Sequence, residues 1–261
     1  MSKLSFISDE DLKKHIQLTI QQYGDKLAPY NLRKFNSNIV DPIKLIFDKT
    51  IYGYSWEEII KNEISRQRDK SNNNDIGYFH QRIFQYISNC TVPSAGWDII
   101  FTRNGGIVLP ENDKVKTVYV EMKNKHNTMN SASSSKTYMK MQGQLLSDDD
   151  CACFLVEVIA KRSQNIAWAV SVDGKSQKHR RIRRVSIDEF YSLVTGQADA
   201  FYQLCLALPT AIEEAVTGSC AKAIPNDTVL AELQDIAKQE NGTFALALYI
   251  LGFGTYHSFK K

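Results

Sequence analysis

The sequence predicts an α/β fold: a mixed β-sheet core flanked by helices, with helical layers at the N-terminal and C-terminal ends. Three observations carry this. Residues 97–102, 117–124, 152–159 and 166–172 are rich in Val, Ile, Trp, Phe and Tyr and read as strands. Between the second and third of these, Lys136 to Leu146 has room for a crossover helix, which implies a parallel strand connection. Outside 91–185, capped segments with helical apolar spacing dominate. No repeat and no linker long enough to divide the chain is present, so a single domain over 1–261 is expected. Its parts are a helical layer (1–90), a sheet core (91–185) and a second helical layer (186–261).

Each element has a local cause. Ser8 followed by Asp9, Glu10 and Asp11 starts a helix that continues through Leu12, Ile16, Ile20 and Tyr23. Asp41-Pro42 starts a second, with the acid as cap and the proline in the first turn. Ser55-Trp56-Glu57-Glu58 is a capping box that opens a third, running to about Arg68. Arg66 to Asn74 reads as a polar connector, after which Asp75 caps a fourth helix bearing Ile76, Phe79, Ile83 and Ile87. Asn104-Gly105-Gly106 suggests a hairpin turn between antiparallel strands. Ser186 and Glu189 form a further capping box, and helices follow from about Ala198 and Asp227. The apolar run Phe244 to Leu251 fits either a helix or a strand.

Bulk properties narrow the function classes. The chain has 261 residues, 43% hydrophobic and 23% charged, an ordinary globular composition. A net charge of +3 is too small to name a partner, so the placement of the charges must decide. Cys90, Cys151, Cys153, Cys205 and Cys220 show neither CxxC pairing nor zinc spacing, which argues for reduced thiols. No apolar run approaches the length needed to cross a bilayer core of about 30 Å. The first residues carry no signal-type segment, so a cytoplasmic location is expected.

The stretch Val118-Tyr119-Val120-Glu121-Met122-Lys123 concentrates the chemistry. Alternation along a strand puts Val118, Val120 and Met122 on one face and Glu121 with Lys123 on the other. Opposite charges on an otherwise apolar strand cost several kcal/mol unless they are paired or used. Upstream, Trp97-Asp98-Ile99-Ile100-Phe101 brings a second acid on a similar strand. Two carboxylates on paired strands, Asp98 and Glu121, can converge on one Mg2+, with the Met122 backbone carbonyl as a further ligand. Lys123 can orient an attacking water and offset charge on phosphorus. The bland alternative is a salt bridge on a solvated face, which leaves the apolar setting and Asp98 unexplained. Glu63 borders the packed face of its helix and either supports the metal from behind or pairs with a Lys or Arg. Gln142 either points back to the site or is exposed.

Two segments suit a polyanion. Lys125, His126, Asn127, Asn130, Ser131 and Lys136 belong to a run of short polar donors between basic residues, of the kind that contacts phosphates and base edges. Residues 175–184 hold six Lys or Arg in ten, including Lys178, Arg180, Arg181 and Arg183. A solvated loop or surface strand is the alternative for that cluster.

The Asp98 … Glu121-Met122-Lys123 layout resembles the PD-(D/E)XK nuclease superfamily. Residues Val120 to Ser131, together with Asp41-Pro42-Ile43-Lys44 and Asp75 to Gln81, resemble type II restriction endonucleases that recognise GGNCC. Gly96-Trp97 stands before Asp98 where the superfamily name has proline. The resemblance implies a Mg2+-dependent endonuclease that cuts both strands of a palindromic duplex. It also implies a homodimer and a cognate DNA cytosine methyltransferase that protects the host. The competing readings are a repair or recombination nuclease of the same fold, a non-catalytic DNA-binding protein, and a structural oligomer.

Overall fold

A computed structural model describes residues 4–26, 28–172, 174–217 and 226–253. Cys220 lies outside the described residues. The chain divides into two compact units that interleave in sequence: 1–20 with 75–219, and 21–74 with 220–261.

The first unit is built on a six-stranded sheet with the order β1-β2-β3-β4-β6-β5. The strands are β1 (Cys90–Thr91), β2 (Ile99–Val108), β3 (Lys114–Lys125), β4 (Cys151–Ile159), β5 (Asn165–Val172) and β6 (Lys175–Ser186). Pairing is antiparallel for β1/β2, β2/β3 and β5/β6 and parallel for β3/β4 and β4/β6. The mixed sheet is therefore as expected, including the parallel step across helix α5 (Ser131–Ser147). Strand β4 is buried on both faces from Cys151 to Glu157, as a central parallel strand should be. On one face, Val118, Val120, Phe154 and Val185 pack with Phe84, Phe190 and Tyr191. On the other, Cys153, Leu155 and Ile182 pack with Tyr138 and Met141 of α5 and with Trp168. Cys151 and Cys153 are buried free thiols, which matches their apolar setting.

The second unit has its own apolar core, formed by Phe35, Leu45, Ile59, Ile60, Val229, Leu233 and Leu248 among others. The Asp41 cap forms as read, its side chain accepting from Ile43 N (3.0 Å) and Lys44 N (3.2 Å) at the start of α3 (Pro42–Tyr52). The Ser55–Glu58 box forms too, with Ser55 N donating to Glu58 at 2.8 Å and Glu58 N to Ser55 Oγ at 3.2 Å. The run from Phe244 resolves as helix α9 (Phe244–Phe253), the other helices being α1 (Asp9–Lys26), α2 (Leu32–Phe35), α7 (Ala200–Thr217) and α8 (Val229–Gln239).

Four readings need correction. The polar connector and the fourth helix do not exist as separate pieces, because α4 runs unbroken from Trp56 to Arg82. Its polar middle finds partners that a local reading cannot see. Gln67 donates to Phe35 O at 3.1 Å, Arg68 forks onto Asp227 at 2.7 and 3.1 Å, and Asn73 donates to Asp69 one turn back at 2.9 Å. Asn104-Gly105-Gly106 is not the hairpin turn but an irregularity inside β2, where the register to β3 shifts between Thr102 and Ile107. Gly106 has φ +83° there, with the Lys114 side chain lying where a Cβ would go. The turn itself is Pro110–Asn112, closed by Leu109 N donating to Asp113 O at 2.8 Å. Ser186 precedes α6 (Ile187–Thr195) without capping it, since its hydroxyl accepts from Gln164 N instead.

The fourth correction concerns the basic cluster, which forms most of β6, an internal strand of the sheet. Arg183 is only 1% exposed, and its guanidinium reaches Asn165 Oδ1 and O (2.6 Å each), Glu111 (2.9 Å) and Arg180 O (2.9 Å). A guanidinium bonded at all three nitrogens can occupy a sheet interior where a lone charge could not. Arg183→Ala is expected to lower the unfolding free energy by about 3 kcal/mol. The exposed Lys178→Ala should stay within about 0.5 kcal/mol of wild type. Denaturant unfolding of the two variants checks this, and equal curves would sink the buried role of Arg183.

Candidate active site

Strand β3 alternates as its sequence requires. Val118, Val120 and Met122 are buried on one face, while Tyr119, Glu121 and Lys123 are half-buried on the other. Ile99 is registered with Val120, and Asp98 N donates to Val120 O at 3.0 Å. Asp98 thus precedes β2 as an off-register residue that meets Val120 together with Ile99, beside Glu121. The Asp98 carboxylate accepts from Met122 N at 2.7 Å. The N–H and C=O of one strand residue point to the same strand edge, so the Met122 carbonyl is directed toward the edge that carries Asp98.

Glu121 is held from two sides. Its Oε1 takes the Lys123 ammonium at 2.7 Å, and its Oε2 takes the Lys140 ammonium at 2.9 Å. Lys140 also donates to Gly96 O at 2.5 Å and lies 4.1 Å from the centre of the Trp97 ring. The Trp97 indole in turn donates to Gln144 at 3.1 Å. Helix α5 is therefore tied to the Gly96-Trp97-Asp98 segment through two residues four apart, on one helical face.

The two carboxyls are pushed in opposite directions. Burial drives Asp98 above the ordinary aspartate range, and the Glu121 charge adds to this; the Met122 N–H and the two lysines only partly oppose it. Burial would raise Glu121 as well, but hydrogen bonds and charge from Lys123 and Lys140 outweigh it and hold that group low. An ionised carboxylate facing a reluctant one suits a hard divalent cation, which typically takes one or two carboxylates and completes its shell with water and phosphate oxygens. Among the described residues, no cluster of three or more His, Cys, Asp or Glu gathers. The oxygen groups that could enter such a shell are the Asp98 and Glu121 carboxylates and the Met122 carbonyl.

Residues 4–217 match the family model described as Eco47II restriction endonuclease. The chain belongs to that family. It is 31% identical over 250 residues to the type II restriction enzyme Sau96I of Staphylococcus aureus, covering 93% of this chain and 92% of that one. It is also 31% identical over 223 residues to the type II restriction enzyme Eco47II of Escherichia coli, covering 82% and 88% respectively.

In this Eco47II-family chain, the remaining site candidates fall into three groups. Lys125, Asn127, Ser131 and Lys136 are exposed on the segment that leaves β3 and enters α5. Asn130 caps that helix, accepting from Ser133 N at 2.9 Å, and the His126 carbonyl accepts from Arg184 at 3.0 Å. Within β6, Lys178 and Arg180 are exposed, while Arg181 forks onto Asp113 at 2.8 and 2.9 Å and Arg183 is interior. Glu63 belongs to the second unit, where Arg66 (2.5 and 2.7 Å) and Gln67 (3.1 Å) occupy its carboxylate, the ion-pair alternative noted above. Gln142 sits two residues from both Lys140 and Gln144, about 200° around the helix from each, and is half-buried there.

Lys140 is the residue that sequence reasoning missed. Its only local signal is a lysine bordering buried Tyr138 and Met141 on the crossover helix. Nothing local connects it with an acid nineteen positions earlier.

Asp98→Asn keeps an acceptor for the Met122 N–H and removes a charge that burial disfavours. Because the folded pKa of Asp98 is raised, its ionisation weakens the fold as pH rises through that value. The variant is therefore expected to melt above wild type in chelator at pH 7. The gap should close as pH falls through the raised value toward 3.8. A lower melting temperature at pH 7 would contradict the reading.

Proposed function

We propose that the chain is a Mg2+-dependent type II site-specific deoxyribonuclease that hydrolyses phosphodiester bonds in both strands of a short palindromic duplex, GGNCC, with Asp98, Glu121 and Lys123 as its catalytic residues. The single observation that supports this best is Asp98 bonded to Val120 and Met122, on either side of Glu121, with the Lys123 ammonium 2.7 Å from the Glu121 carboxylate. Membership in a restriction endonuclease family supplies the substrate class, double-stranded DNA. The site sequence rests on the likeness of residues Val120 to Ser131 to enzymes that recognise GGNCC.

In this reading Asp98, Glu121 and the Met122 carbonyl would hold the ion. A divalent cation bound there makes a nearby water more acidic and offsets charge on the phosphate oxygens. Lys123 orients the attacking water and offsets the negative charge that gathers on phosphorus. The water oxygen forms the new P–O bond in line with the one that breaks, and the departing oxygen leaves on the opposite side. Lys140 keeps Glu121 ionised and its carboxylate in place. The exposed donors from Lys125 to Lys136 contact the duplex beside the cut. A palindromic site calls for two copies related by a two-fold axis, and the host copy of that site calls for a protecting cytosine methyltransferase. Among the described residues, no helix is long and apolar enough to cross a membrane. That is compatible with the cytoplasmic location proposed for an enzyme acting on incoming DNA.

Digestion of a sequenced duplex tests this. Discrete fragments ending at GGNCC are expected with Mg2+, and binding without cleavage with Ca2+ or chelator. Glu121→Ala and Lys123→Ala should each lose at least about a hundredfold in cleavage rate while still binding the duplex. Structure-dependent nicking would favour the repair nuclease instead, and full activity in both variants would end the catalytic assignment.

A further inference from the structure

A second feature of the first unit opens directly on Asp98. A cavity of about 380 Å3 lies between the C-terminal end of α4 with the turn after it and the segment 92–98 that leads into β2. Its walls include Tyr78, Gln81, Arg82, Gln85 and Ser94, and Asp98 is the one carboxylate among the described residues that line it. The size is within the range of pockets that admit a group as large as a nucleotide.

Arg82 sets its character. The guanidinium carbon lies 4.8 Å from the centre of the Tyr78 ring, an arrangement that holds the planar fork in one orientation and leaves its N–H groups open. The side chain is exposed, and none of the ion pairs among the described residues involves it. This distinguishes it from Arg181, Arg183 and Arg184, whose charge goes to Asp113, Glu111 and Glu157 within the protein. An oriented guanidinium with no carboxylate partner, in a polar groove that reaches Asp98, is suited to an anion of fixed geometry. The opposite wall is held in place, since Gly96 O accepts from Lys140 and Trp97 packs under the same ammonium.

We propose that this groove takes the DNA strand next to the scissile phosphate, with Arg82 receiving one backbone phosphate and Gln81 and Gln85 flanking it as hydrogen-bonding groups. The strand passing Asp98 has to continue on one side or the other. On this side it meets a cation free for it, whereas the β6 arginines are largely engaged elsewhere. The contact is a positioning one that carries no sequence information, as backbone contacts do not. The inference rests on the nuclease reading above.

The test is duplex binding in Ca2+, comparing wild type, Arg82→Ala and Arg82→Lys across a salt series, on GGNCC and on an unrelated duplex. Arg82→Ala is expected to bind both duplexes about tenfold more weakly. The slope of log affinity against log salt should be shallower by about 0.9, the value of one neutralised phosphate. Arg82→Lys should keep the wild-type slope, because the charge is kept, and an unchanged melting temperature in all three excludes a folding effect. Wild-type affinity and slope in Arg82→Ala would overturn the groove assignment, as would a loss confined to GGNCC, which marks base reading instead. Wild-type protein that neither binds nor cuts duplex DNA would overturn the nuclease reading itself, and this inference with it.

Discussion

Two carboxylates brought beside each other, half out of water, require positive charge between or beside them. Around Asp98 and Glu121 the chain meets that requirement from three directions: the Met122 N–H on the strand itself, Lys123 two residues along it, and Lys140 from the crossover helix. Much of the first unit follows from this. The segment before β2 must bond to Val120 and Met122 for Asp98 to come beside Glu121, and α5 must lie against the same sheet face for Lys140 to arrive. A site balanced in this way by its own ammonium groups has the electrostatic form that a divalent cation and a phosphate would exchange into.

The arginines show the same constraint working away from the site. Six basic residues in ten looked like a surface for a polyanion, and part of that charge instead crosses the middle of the sheet. Ile182 and Val185 are fully buried, which draws the strand inside, and Arg183 must follow with an acceptor for each of its three nitrogens. Lys175 and Lys178, at the exposed end of that strand, keep their charge outside the ion pairs among the described residues, as do Lys125, Lys136 and Arg82 elsewhere in the first unit.

Local patterns carried the elements whose causes are local. The caps at Asp41 and Ser55, the alternation of β3, and the parallel step across α5 all arise from side chains within a few residues of one another. Failures cluster where the deciding partner is distant in sequence. Residues 66–74 are helical because Gln67 finds Phe35 O and Arg68 finds Asp227, and an isolated polar run gives no sign of either. Ser186 fails as a cap because Gln164 takes its hydroxyl. The Asn-Gly-Gly signal was sound as a need for positive φ at Gly106, but a strand irregularity meets that need as well as a turn does.

For the site, the order of residues along the chain was enough to name Asp98, Glu121 and Lys123 as candidates, since a two-residue period forces Glu121 and Lys123 onto one face and the flanking valines onto the other. It was also enough to make a metal-assisted nuclease the reading to test. Only the folded arrangement could add Lys140, retire Arg183 to the interior, assign the carboxylate of Glu63 to Arg66 and Gln67, and open a groove beside Asp98. The reason is one of range: periodicity and capping act over one or two turns of chain, whereas ion pairs are chosen by whichever charges packing brings within about 4 Å.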